Sequence, residues 1–190
     1  MTRWWWSGQA RFFFLVWNLF LALIPVALAA LPCRSRVSES LRSVAWILFF
    51  PNAPYLITDL LHLTPRPGVP LWFDVGLIST FACAGLLAAC LSLRQMHERV
   101  REWQGEVAGW SFAATVALLS GFGIWLGRFL RVNSWDALTE PLALAEAAIQ
   151  PLLHPVLHIR AWGVTLLFGG LLFVVYAGFS AERRVRSSLN

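Results

Sequence analysis

Long apolar runs alternate with short polar connections along this chain, and five runs are long enough to cross a bilayer: residues 12–31, 41–63, 71–93, 107–130 and 161–180. A spanning helix needs about 20 largely apolar residues, because the hydrocarbon core offers no water to exposed backbone groups. The pattern predicts an all-α fold, a polytopic transmembrane helix bundle of five spans plus short interfacial helices, as a single transmembrane domain over residues 1–190. The first run, FFFLVWNLFLALIPVALAAL, closes on the small residues ALAA and so competes with a cleaved signal peptide. It is longer than the roughly 7–15-residue apolar core of such peptides, which favours an uncleaved helix.

Two connections carry periodicity of their own. In RQMHERVREWQGE, Leu93, Met96, Val100, Trp103 and Val107 recur at helical spacing, and Arg94 stands four residues before Glu98. This predicts an amphipathic extension of the third helix beyond the membrane. The connection 132–160 contains TEPLALAEAAIQPLLHPVLH, where Thr139 is placed to cap a helix with Pro141 in its first turn, and Pro151 and Pro155 then cut it. Glu146 and the two prolines argue against a sixth span, so a short helix lying on the membrane face is expected.

The second run, FFPNAPYLITDLLHL at 49–63, holds polar residues that are costly in an apolar setting. On a helix, Asn52, Tyr55, Asp59 and His62 share one stripe. Pro51 and Pro54 should kink the helix just before it, freeing carbonyls that need partners inside the bundle. The short link TPRPGVP makes the second and third spans antiparallel neighbours, bringing Asp74 to the same end as His62. The fourth span ends SGFGIWLGRFLRVNSWD; Gly123 and Gly127 permit close helix approach, and Arg128, Arg131, Asn133 and Asp136 emerge at that end too. Ionisable groups gathered in this way are a functional-site hypothesis, with Asp59, His62 and Asp74 as catalytic candidates and Asn52, Tyr55, Arg128, Arg131, Asn133 and Asp136 as ligand-binding candidates. The competing reading is an Asp59–Arg128 pair that only clamps helices.

Composition agrees with the membrane assignment. Hydrophobic residues make up 58% and charged residues 13% of the chain, against about 25% charge in soluble domains. The eleven Trp include three in MTRWWW, where an interfacial anchor belongs. All fifteen basic residues are Arg, scattered in short clusters between spans rather than along one stripe, so nucleic acid is not the expected partner. The bilayer is, with a homo-oligomer or another membrane subunit as protein partners. Nine arginines flank one side (Arg34, Arg36, Arg42, Arg94, Arg99, Arg101, Arg183, Arg184, Arg186) and six the other (Arg3, Arg11, Arg66, Arg128, Arg131, Arg160). The imbalance predicts N-terminus out and C-terminus in. Cys33, Cys83 and Cys90 form neither a disulfide framework nor a CxxC metal site.

FFPNAPYLITDLLHL, LWFD, SGFGIWLGRFLRVNSWD and the run into RAWGVTLLF resemble the bacterial integral-membrane family catalogued as domain of unknown function 1361, over about residues 17–176. The resemblance implies a multi-span protein of the bacterial cytoplasmic membrane and supplies no activity. A second likeness is local. Thr58, His62, Asp74, His154 and His158 follow the order of the S-x-x-x-H, D, H-x-x-x-H pattern of intramembrane hydrolases similar to alkaline ceramidases, which implies zinc. Thr stands for Ser, five spans for seven, and Pro155 interrupts the last element. Without zinc no cofactor is expected. The remaining readings are two: Arg128 and Arg131 gripping an anionic or lipid-linked ligand with Asp59 or His62 as acid or base, and proton-coupled transport through Asp59 and His62.

Overall fold

The computed structural model describes residues 13–64 and 70–188, and within them every side chain except those of residues 62 and 182–188. Among the described residues there is no strand, and five helices are long and apolar enough to span a membrane. The protein is an all-α helical bundle. In order the elements are α1 (Phe13–Ala30), α2 (Arg36–Phe49), α3 (Asn52–Tyr55), a 3-10 segment (Leu56–His62), α4 (Leu71–Gln104), α5 (Glu106–Phe129), α6 (Asp136–Thr139), α7 (Pro141–Leu153) and α8 (Ile159–Ser188).

The second span differs most from the expected helix over 41–63. It starts five residues earlier, at Arg36, because Ser35 and Ser38 form a reciprocal cap: Ser38 N–H donates to Ser35 Oγ at 3.2 Å and Ser35 N–H to Ser38 Oγ at 3.1 Å. Pro51 and Pro54 then remove two backbone donors within one turn, and the chain continues as α3 and a seven-residue 3-10 segment instead of a bent α-helix. Such a run is unusually long for 3-10 geometry. The carbonyls left at the break find the partners they need: Asn52 Nδ2 donates to Phe49 O at 2.9 Å and Ser134 Oγ to Leu48 O at 3.0 Å.

Small residues let the backbones meet, as expected where lipid removes any hydrophobic drive between helices. A Cβ on Gly85 of α4 would sit 2.4 Å from the Ala53 carbonyl, and one on Gly123 of α5 would sit 2.8 Å from the Pro51 ring. The kinked span is thus gripped from two sides. Gly123 and Gly127 fulfil the close approach expected of them, both facing the kinked span. The tightest crossing is elsewhere, between α5 and α8, where a Cβ on Gly121 would lie 2.3 Å from Thr165 O and one on Gly169 2.8 Å from Ala117 O.

At the opposite end, Arg42 donates to Leu31 O at 3.0 Å and Arg99 to Ala29 O at 2.7 Å, satisfying the last carbonyls of α1 where a positive charge is favoured. Two of the arginines that weight the topology therefore also hold helices together. Deeper, Trp46 Nε1 donates to Ser92 Oγ at 2.6 Å and Ser92 Oγ to Pro25 O at 3.0 Å, a buried relay joining three spans. Beyond it, α4 runs unbroken to Gln104 as its periodicity predicts, with an Arg94–Glu98 contact at 3.9 Å. Gly105, at φ +89°, makes the joint to α5.

The connection after α5 corrects the sequence reading in detail. Glu140, not Thr139, is the N-cap of α7, with Pro141 at its first position, and Pro151 is accommodated inside the helix, which ends only before His154 and Pro155. Leu142, Leu152 and Leu153 of α7 are exposed, as are Val156 and Leu157 in the turn that follows. α7 is an apolar helix shorter than the five spans.

Candidate functional site

Three elements converge on one carboxylate. Asp59, in the 3-10 segment, is fully buried. It accepts from Asn18 Nδ2 of α1 at 3.1 Å and lies 3.6 Å from the Arg128 guanidinium of α5. Arg128 also donates to Tyr55 Oη at 3.3 Å and to the Thr58 carbonyl, and its guanidinium stands 5.5 Å from the centre of the Tyr55 ring. Thr58 Oγ1 returns to Tyr55 O at 2.7 Å. A buried carboxylate is tolerated here because a charge and a hydrogen-bond donor reach it from two other spans.

Asn52 takes a different partner. Its Nδ2 also donates to Ser134 Oγ at 2.9 Å, so the kink is tied to the connection after α5. That connection is turned back over the bundle by Arg131, whose φ of +60° is the left-handed conformation more usual for Gly. Val132 N–H bonds Leu126 O at 3.3 Å, and Asp136 Oδ2 accepts from Asn133 N–H at 2.6 Å, fixing the turn into α6. Arg131 and Asn133 are exposed, whereas Arg128 is largely covered. The two arginines thus stand in different settings.

Asp74 is buried in the first turn of α4, where the helix dipole favours a negative charge. The side chain of His62 lies outside the described residues. His154 is exposed at the C-cap of α7, and residues 155–158 form a turn, so His154 and His158 do not share the helical face that an HxxxH zinc pair needs. His158 instead lies edge-on to Trp125 at 6.4 Å. Among the described residues, no group of three His, Cys, Asp or Glu side chains is placed to hold a metal ion.

Beside the charged pair is a cavity of about 430 Å³, bounded by α1, the kinked span, α5 and the 132–148 region. Its walls are mostly apolar, including Leu21, Phe50, Val116, Phe122 and Leu126, with Leu144 and Ala148 of α7 across it. The polar residues on its lining are Asn18, Asn52, Tyr55, Ser120, Asn133 and Ser134, and none of the lining residues is charged. An apolar cleft with a few convergent polar groups is the usual form of a small-molecule site. Tyr55 joins the two features, as a lining residue of the cavity whose hydroxyl meets Arg128.

Sequence reasoning placed Asn52, Tyr55, Asp59 and Arg128 at one end of the bundle and missed Asn18, Ser120 and Ser134. Asn18 had a signal, as the one strongly polar side chain within an otherwise apolar run. Ser120 and Ser134 had none beyond their position in the segment SGFGIWLGRFLRVNSWD.

No curated protein and no solved structure matches this chain. A family model described as "Protein of unknown function (DUF1361)" matches residues 17–175, which include the kinked span, Asn18, Arg128 and every cavity-lining residue. By that match, extending over most of its length, the chain belongs to the DUF1361 family of proteins of unknown function.

Proposed function

We propose that this membrane protein binds a lipid-linked or other amphiphilic ligand in the cavity between α1, the kinked second span and α5. The observation that carries the reading is the cavity itself: about 430 Å³, within the roughly 300–1,000 Å³ range of ligand sites, apolar along most of its wall and polar at a few converging points. The Asp59–Arg128–Asn18 cluster then serves as the frame that fixes Tyr55 and the kink. In this reading the protein sits in the bacterial cytoplasmic membrane with its N-terminus outside, and α7 rests in the outer interface over the cavity. The arginine imbalance supports that orientation.

The test is the lipid that accompanies the protein through mild detergent purification, identified by mass spectrometry after extraction. The expected result is a species enriched over the bulk membrane at about one molecule per chain, and lost in Ala148→Trp, which places an indole across the cavity from α7. Co-purifying lipid that mirrors the bulk membrane and is unchanged by Ala148→Trp refutes the proposal. A second reading, a structural or accessory subunit in which the charged cluster only clamps helices, is favoured by one fact: Asp59 is fully buried and held by two other spans. It predicts that bulk lipid alone fills the cavity.

A further inference from the structure

The lining of the cavity changes character along its length. On α5 it runs from Val116 to Gly127, about 16 Å at 1.5 Å per residue. Gly123 packs against Pro51 and Gly127 against Tyr55, which sets the register of α5 on the kinked span. At the Gly127 end the lining includes Asn52, Tyr55, Asn133 and Ser134, whereas toward Val116 it is made by Leu21, Ile47, Leu48 and Leu119. Ser120, the polar lining residue toward that deep end, has its Oγ sealed away from open space.

Beyond Val116 the bundle closes. Pro25, Trp46 and Phe112 lie inward of Leu21, Ile47 and Val116 on the same three helices, and they are joined to one another. Trp46 Nε1 donates to Ser92 Oγ, which donates to Pro25 O, and the fully buried Trp46 ring stacks on Phe112 with centroids 6.0 Å apart. None of these residues lines the cavity, so the layer they form is its floor. The side is less closed. Ile47 and Leu119 line the cavity and are still 44% and 49% exposed, so its deep part opens laterally, at a level where hydrocarbon rather than water surrounds a spanning bundle.

Spread over about 16 Å, a volume of 430 Å³ is a channel about 6 Å across. Nonbonded carbons stand about 3.5–4.0 Å apart, so one hydrocarbon chain fits this width and two side by side do not. The depth also matches one leaflet, about half of the roughly 30 Å hydrocarbon core. Resting on the proposed ligand site, we infer that the cavity measures the length of a single linear acyl chain, which enters sideways from the surrounding leaflet, reaches the Trp46–Phe112 floor and leaves its polar head at the Asn133 end. Leu119 and Val116 set the length that is accepted. A charged headgroup stays outside, since nothing on the uncharged lining would balance it. With carbon–carbon bonds of about 1.5 Å, an extended chain advances about 1.3 Å per methylene, so the channel holds about 13 carbon–carbon steps, the length of a tetradecanoyl chain.

The experiment uses delipidated full-length protein in detergent, offered an equimolar mixture of decanoyl, tetradecanoyl and octadecanoyl lysophosphatidylcholine, with retained lipid read by native mass spectrometry. Tetradecanoyl should be retained about threefold over each of the others, because a shorter chain leaves the floor without contacts and a longer one must fold against it. Leu119→Trp, at a half-exposed wall position, closes the channel three residues short of Val116, about 4–5 Å, and should move the preference to decanoyl. Leu87→Trp, at a similarly exposed position of α4 away from the cavity, should leave it at tetradecanoyl. A damaged fold would lower all three lipids together and would not move the optimum. Any other order in wild type, or a Leu119→Trp profile that is lowered uniformly or unchanged, overturns the inference, and the ligand site stands if Ala148→Trp still strips the co-purifying lipid. Retention of none of the three overturns it as well, and with Ala148→Trp indistinguishable from wild type the ligand site falls with it.

Discussion

Replacing Arg128 with Met removes the guanidinium that reaches Asp59, Tyr55 and Thr58, and leaves the Asn18 amide donating to the buried carboxylate. At 3.6 Å and an effective dielectric near 20, the Arg128–Asp59 attraction is about 5 kcal/mol. Desolvating both ions offsets most of that, so the intact pair adds little net stability. Removing one partner is different, because Asp59 stays buried without the guanidinium, and Arg128→Met should cost about 3–5 kcal/mol. The double variant Asp59→Leu with Arg128→Met discards both charges and should recover most of that loss. Cys90, 1% exposed beside the apolar core, provides the assay. With Cys33 and Cys83 replaced, thiol labelling of Cys90 during heating in micelles reports opening of the bundle. If the double variant is no more stable than Arg128→Met, or Arg128→Met lies within about 1 kcal/mol of wild type, the pair is not the clamp described here.

Two further outcomes follow from packing and charge. Gly121→Ala places a methyl 2.3 Å from Thr165 O and should destabilise by at least about 1–3 kcal/mol as α5 and α8 are forced apart, whereas Gly163→Ala, with nothing within 4 Å, should be neutral or slightly stabilising through helix propensity; the same labelling assay compares them. Reporter fusions after Ser187 should show the C-terminus inside, and an external reporter would reverse the orientation while leaving the cavity where it is.

Much of the architecture was legible because the membrane restricts a chain to very few solutions. Apolar length located the spans, and antiparallel alternation alone put Asp59 and Arg128 at one end. What spacing does not encode is the rotation of one helix against another. Asn18 reaches Asp59 because α1 packs beside the 3-10 segment, and nothing in the first run specifies that neighbour. The early start of α2 was hidden because apolar windows ignore caps, and Ser35 with Ser38 carries that information in polar residues. The cavity was illegible for a deeper reason. Its volume is the small difference between large packed surfaces, and depends on the seating of Leu144 and Ala148 opposite Asn52 as much as on any motif.

The two prolines link these features causally. Pro51 and Pro54 lack the N–H groups that would reach Ile47 O and Phe50 O, so α2 ends at Phe49, and Leu48 O and Phe49 O at the break accept from side chains instead. Ser134 answers one of them, and to do so the chain after α5 must fold back, which it does through the left-handed backbone at Arg131. The folded-back segment supplies part of the cavity wall, and Asn52, which answers the other carbonyl, lines the same cavity. Charge is kept to one side, where Asp59 and Arg128 secure the tightened segment and present Tyr55. The polar residues of FFPNAPYLITDLLHL therefore differ in role: Asp59 and Thr58 belong to the charged side of the kink, Tyr55 joins that side to the cavity, and Asn52 both ties the kink and lines the cavity. Loss of Asp59 should appear as loss of stability, whereas loss of Asn52 should cost both stability and ligand.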